Sequence, residues 1–236
     1  MFNSTAPNPG ASRKSAGDRT RELIFDKALE LFRSRGFEAT TMRDIARAAR
    51  VATGAAYYYF ASKEAIVSAY YDEVQRLHAA RVREALGDKE GLGPRLACVM
   101  HLKLDILWQD RKFLGALFRY SGEPSHPLSV FGKPTEAQRK QSMEIFREAL
   151  AGIEIGEELK KALPWGMWLL QLGMILYFIH DDSEGQGRTH RLVNRFAGIL
   201  ADLAELANSA LVRPFLKPFQ AKMLEALHEA GWSEEA

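Results

Sequence analysis

One cysteine, Cys98, is all the thiol this 236-residue chain carries. No internal disulfide can form, and a lone cysteine in an apolar helix suits a reducing cytoplasm. The 18 glycines are scattered and make no phosphate-cradling loop. There is no nucleophile elbow, no H-x-x-x-H pair and no credible triad, so no enzyme and no catalytic residue is expected. His101, His126 and His190 are not spaced as zinc ligands, and His180-Asp181-Asp182 ends a helix, where histidine suits the dipole. No metal and no cofactor are expected. Met1 to Gly17 is rich in Ser, Pro, Gly and Ala without an apolar core, so no secretory leader is expected. Only one run, Ala162 to Ile179, is uncharged over the length of a membrane span. Pro164, Gly166 and Gly173 weaken it, and no second span accompanies it. It reads as a buried helix, and no membrane partner is expected.

What is present is helical. After Lys63 the pattern gives helices at Glu64 to Leu86, Arg95 to Gln109, Lys112 to Tyr120, Thr135 to Ala151, Glu157 to His180, Gly187 to Leu211 and Pro214 to Glu229. Gly87, Gly91, Gly93 and Pro94 are read as breakers, and Ser125 to Pro134 as a loop. Three segments are expected: a disordered arm over 1–18, a small helical head over 19–63 and a larger helical body over 64–236. Charge divides the same way. Residues 1–63 hold 11 Lys and Arg against 6 Asp and Glu, a net +5, while the remainder is −3. A basic head on a mildly acidic body suits phosphate binding by the head. Arg13, Lys14, Arg19 and Arg21 give the arm a basic stretch able to reach a minor groove.

The head is the informative part. Ile24, Ala28, Leu31 and Phe32 mark one face of a first helix, stopped by Gly36 in a left-handed conformation, with Phe37 folding back. Thr41 caps a second short helix, Met42 to Ala49, and Ala52 or Thr53 opens a third, Thr53 to Phe60. Three such helices form a helix-turn-helix unit whose last helix can enter a major groove. Thr53, Gly54, Ala55 and Ala56 are small enough to let backbone approach a surface, and an alanine methyl can touch a thymine methyl. Tyr57 is placed partly against the core, and Tyr58 and Tyr59 toward DNA, their hydroxyls able to donate to phosphate. Ser62 caps the next helix, with Lys63 facing the same side.

The ordered set Gly36-Phe37, Thr41, Ile45-Ala46, Val51, Gly54, Tyr57, Phe60 and Lys63 resembles the DNA-binding domain of TetR-type transcriptional regulators, over Thr20 to Ile66. The resemblance implies DNA contacts from Thr41, Met42 or Arg43, and from Thr53, Gly54, Ala55, Tyr57, Tyr58, Tyr59 and Lys63. Two positions depart from the family pattern. Arg50 stands where glycine is usual, at a steric cost if that turn needs positive φ. Ala52 replaces a serine, which removes a capping oxygen.

The expected fold is all-α: an N-terminal three-helix DNA-binding domain and a larger C-terminal helical domain for ligand binding and dimerisation. Leu192, Phe196, Ile199, Leu203, Leu206 and Ala210 recur in steps of four and three, the seam of a helix pair, and two such helices per chain would form a four-helix homodimer interface. The resemblance implies an effector cavity in the body. Met100, His101, Trp108, Phe146, Trp168, Gln171, Tyr177 and Phe178 are its candidate lining, which would favour a small hydrophobic or aromatic effector. The implied function is a ligand-responsive repressor, released by its effector from a double-stranded operator with inverted-repeat symmetry. The alternative is a DNA-binding regulator or architectural protein without an effector.

Overall fold

The computed structural model describes residues 15–123, 125–209 and 211–229, and every regular element among them is a helix. The chain divides into two compact units, one ending at Ile66 and one beginning at Val67. The division falls three residues beyond the head expected at Lys63.

In the first unit, α1 spans Ala16–Arg35. The arm expected over 1–18 is corrected at its end, because Ser15 and Asp18 form a capping box that starts the helix at Ala16. Each side chain satisfies a backbone N–H that a helix end leaves unpaired. The remainder of the arm, with Arg13 and Lys14, lies outside the described residues. Ile24, Ala28, Leu29 and Phe32 are the buried face of α1, while Leu31 is half-buried. Gly36 ends the helix at φ 91° and ψ 157°. That is positive φ, as read, but it is an extended region open essentially to glycine alone, not the left-handed helical one. It sends Phe37 back to meet Phe32 edge-on, with ring centroids 5.2 Å apart.

A second capping box, Thr41 with Asp44, opens α2 (Met42–Ala48). Ile45 and Ala46 are buried against α1, and Ile45 is 0% exposed. The turn to α3 (Thr53–Tyr59) passes through Arg50 at φ 55°. This is the positive φ that glycine would take freely and arginine takes at a cost of about 1–2 kcal/mol. Ala52 is the N-cap of α3 and gives it no side-chain bond, nor does Thr53 substitute.

The second unit begins inside α4 (Lys63–Leu86) and continues through α5 (Leu92–Leu107), α6 (Arg111–Ser121), α7 (Glu136–Leu150), α8 (Glu157–His180), α9 (Gly187–Asn208) and α10 (Arg213–Glu229). Gly93 and Pro94 do not break the chain but sit in the first turn of α5. There the N–H that proline lacks would have no helical partner anyway. Gly93 also admits α9 closely: a β-carbon there would stand 3.4 Å from the Ala197 carbonyl oxygen. α5 packs on α9 and α7, and α8 on α6, α7 and α10. The uncharged run lies in α8, the one described helix long and apolar enough to cross a membrane. Its Trp165, Met167, Trp168, Met174, Ile175 and Phe178 are buried in the body. Trp165 and Trp168 form a core cluster with Met143 of α7.

Candidate nucleic-acid interface and body cavity

In α3 the only buried residue is Ala56. Thr53, Gly54, Tyr57 and Tyr58 are exposed, and Ala55 is half-buried. A β-carbon on Gly54 would meet nothing within 4 Å, so that surface is open. Tyr58 faces outward as expected, but the placement of Tyr57 and Tyr59 is corrected. Tyr57 is 52% and Tyr58 83% exposed, while Tyr59 is half-buried with its hydroxyl 3.5 Å from where a β-carbon on Gly17 would stand. The 100° step per residue puts Tyr59 at the edge nearest α1, and Tyr57 on the outer face with Thr53 and Gly54.

On α2, Arg43, Arg47 and the turn's Arg50 are exposed, whereas Met42 is only 5% exposed and belongs to the core. Thr41 is exposed, but its hydroxyl is engaged in the cap: it donates to Asp44 Oδ2 at 2.5 Å and accepts from the Asp44 N–H at 3.1 Å. The bonds that the Thr41 hydroxyl and the Thr41 backbone N–H donate to the Asp44 carboxyl hold it below its ordinary pKa. Lys63 is half-buried. Its ammonium donates to the Phe37 carbonyl at 2.7 Å and lies 4.4 Å from the centroid of the Phe37 ring. It therefore ties the start of α4 to the loop after α1, whatever else it touches.

The body holds a cavity of about 120 Å³ lined from α4, α5, α6, α7 and α8. Trp168 and Gln171 line it, as the sequence suggests; the other six candidates do not. Met100, Phe146 and Phe178 are fully buried in side-chain packing instead. Trp108 is 45% and Tyr177 42% exposed. His101 pairs with α9: it hydrogen-bonds Asn194 at 2.7 Å and His190 at 2.8 Å, ring stacked on ring. Sequence reasoning missed Lys103, Gln138, Arg139 and Ser142, all of which line the cavity. A readable signal existed for Lys103. It follows Leu96, Val99 and Met100 by seven, four and three residues and precedes Leu107 by four, so it sits on the most apolar face of α5.

Lys103 is 4% exposed, and its ammonium donates to Gln75 Oε1 at 2.7 Å. Burial pushes its pKa down to about 7. Gln171 is 4% exposed; its carbonyl oxygen accepts from the Ser142 hydroxyl, and its amide nitrogen has no partner.

The exposed side of α9 carries Phe196, Ile199, Leu203 and Leu206, from 38% to 55% exposed. Leu192 is half-buried, and Ala210 lies outside the described residues. Val193, Ala197 and Ala204 face inward. On α8, Leu176 and Tyr177 are also exposed.

Comparison with known proteins decides the family. Residues 24–70 match the family described as bacterial regulatory proteins, tetR family. Residues 95–217, more than half the chain, match the tetracyclin repressor-like C-terminal domain. The chain belongs to the TetR family. Among curated TetR-type relatives, the HTH-type transcriptional repressor KstR2 of Rhodococcus jostii is 43% identical over 70 residues, covering 30% of this chain and 32% of that protein. The HTH-type transcriptional regulator TtgR of Pseudomonas putida is 34% identical over 95 residues, 39% of this chain and 43% of that protein. The chain thus spans about a third to two fifths of the length of these curated relatives. Such relatives are named as regulators, not enzymes.

Solved TetR-type structures share the fold. That of the regulator from Nitrosomonas europaea has a TM-score of 0.62 at 21% identity, covering 78% of this chain and 98% of that one. That of the regulator FadR from Bacillus subtilis, in complex with stearoyl-CoA, has 0.60 at 20% identity, covering 75% and 96%.

Proposed function

We propose that this TetR-family protein is a cytoplasmic repressor that binds an inverted-repeat DNA operator as a homodimer and is released by a small, largely apolar effector. The observation that carries the DNA reading is the outer face of α3, where Thr53, Gly54, Tyr57 and Tyr58 are open to solvent beside Arg43 and Arg50. Aromatic side chains exposed on a short helix gain nothing for the fold, and their hydroxyls suit phosphate oxygens. Arg43, Arg50, Tyr57 and Tyr58 would position the head on the backbone. Thr53, Gly54 and Ala55 would approach base edges, and Thr41, Tyr59 and Lys63 would support from the rim.

The second copy is the natural occupant of the α8 and α9 surface. Leu176, Phe196, Ile199, Leu203 and Leu206 expose an apolar area that water disfavours, and a two-fold pairing buries it on both chains at once. Two identical heads then require a symmetric operator. Effector response rests on the cavity. Tyr70, Tyr71, Val74 and Gln75 of its lining come from α4, the helix whose first turn holds Lys63. A bound molecule that shifts α4 shifts the chain entering the head. A fold neighbour, the regulator FadR from Bacillus subtilis, is in complex with stearoyl-CoA, a ligand with a long hydrocarbon chain, which supports this reading.

The test is a footprint and gel-shift titration on the DNA flanking the protein's own coding region. A protected inverted repeat, weakened several-fold by Tyr58→Phe, supports the reading. Salt-insensitive binding, or no protected repeat, overturns it.

A further inference from the structure

The cavity is apolar over most of its wall, and its charged groups are of one sign. Among the described residues that line it are two cations, Lys103 and Arg139, and no carboxylate. A lysine buried to 4% exposure needs a reason to be there, since an uncompensated ammonium in an apolar site is costly. One of its three N–H groups reaches Gln75, a neutral acceptor. Across α4, α5 and α7 the polar chain continues: Gln75 donates to the Gln138 backbone carbonyl at 3.1 Å, and Gln138 donates to Asp72 at 2.6 Å. Gln75 is thereby held with its carbonyl oxygen toward Lys103. From α8, Gln171 brings an amide nitrogen that is buried and has no partner, its carbonyl oxygen being held by Ser142. A buried donor left unpaired is destabilising unless something fills the site. Leu107, Leu114, Leu117, Phe118, Trp168 and Ile175 supply the apolar remainder.

We infer that the cavity takes an organic carboxylate, with its anionic head accepting hydrogen bonds from Lys103 and Gln171 and its hydrocarbon part among the apolar walls. This rests on the effector-response reading for its consequence, but not for the binding. A carboxylate accepts from both groups at once and sets a full negative charge against the ammonium, a charge that an alcohol lacks and an ammonium ligand reverses. Arg139 adds positive potential, although its guanidinium is held by the Val130 and Gly132 carbonyls. The space corresponds to roughly eight to ten water-sized positions, room for a chain of about a dozen heavy atoms.

The experiment is a calorimetric titration of the full chain with decanoate, 1-decanol, decylammonium and 4-phenylbutyrate. Decanoate or 4-phenylbutyrate is expected to bind at least about tenfold more tightly than the alcohol and the amine, the size of one charge-assisted pair. Lys103→Met should abolish that preference while keeping the affinity for decanol. Gln171→Glu, which places a like charge in the site, should weaken the acids about tenfold or more. Neither variant is expected to unfold the protein, and circular dichroism melts verify that. Equal binding of acid and alcohol, failure of both acids at 1 mM (about −4.1 kcal/mol), or a preference that survives Lys103→Met would overturn the inference. Operator binding is then measured with the acid present. An acid that binds with this selectivity but leaves DNA affinity unchanged would uphold the carboxylate site and sink the effector-response reading.

Discussion

The head and the body solve opposite problems. In the head, the groups proposed to meet DNA stand on the outside of two seven-residue helices, and a few buried residues such as Ile45 and Ala56 fix their direction. In the body, the groups proposed to meet an effector face inward on a cavity that α4, α5, α6, α7 and α8 line together. A surface function needs only local geometry, so it is encoded in short spacings. A cavity is what remains when distant side chains fail to meet, and no short spacing encodes it.

Five changes test that contrast. The largest effect should come from the surface proposed to join two bodies. Leu203→Asp places a charge on the exposed apolar face of α9, so sedimentation should show monomers. Operator affinity should fall by about a hundredfold or more as the linkage between heads is lost. A dimer with full affinity would mean the copies pair elsewhere.

Next in size is the buried lysine. Lys103 has a folded pKa near 7 against about 10.4 unfolded. The unfolded chain therefore binds the proton more tightly, and stability rises as pH goes from about 7 to 10.4. His78, whose own pKa is pushed far down by burial and by the Lys103 charge, faces it from α4, along with Tyr70 and Tyr71; Arg139 faces the same cavity from α7. Lys103→Met should remove this slope and raise stability at pH 7 by about 1–3 kcal/mol. Melting curves at pH 6, 7, 8 and 9 measure both, and a variant that melts lower with an unchanged slope would show the ammonium to be an ordinary structural group.

In the head, Lys63→Ala should cost about 1–2 kcal/mol, through loss of the Phe37 carbonyl bond and ring contact. Tyr58→Phe should leave stability alone and weaken operator binding about fivefold. The contrast between the head's inner and outer groups fails if the two variants exchange these effects. The smallest change is Arg50→Gly, expected to stabilise by about 0.5–1 kcal/mol because the turn holds φ 55°.

How far the sequence could be read follows the same division. The bounds of α8, Glu157–His180, were legible to the residue because Glu157 and His180 flank an apolar run. The head's turn was legible down to the strain at Arg50. Tyr58 was read outward correctly, but Tyr57 and Tyr59 were exchanged, because their direction depends on how Ala56 seats α3. Gly93 and Pro94 looked like a break, since a first-turn proline and a breaking proline are spelled alike. Trp168 and Gln171 were found for the cavity, but Met100 and Phe178 are ordinary core. Aromatic content cannot separate a lining from a filling. Lys103 was passed over, although its place on the α5 face was open to counting.

The corner between α8 and α9 has a bearing on acid tolerance. Asp181 accepts from the backbone and hydroxyl of both Ser183 and Thr189, and Arg111 donates to the carbonyls of Phe178, Ile179 and Asp181. Burial alone would raise the Asp181 pKa, but those four bonds outweigh it and hold it well below the carboxylate range. The stability it contributes is present above about pH 4 and is lost only as pH falls through that lowered value. The clasp between the two helices that carry the exposed apolar face thus outlasts the protonation of ordinary surface carboxylates. Acidification would strip the ion pairs outside the corner before it opened the corner itself.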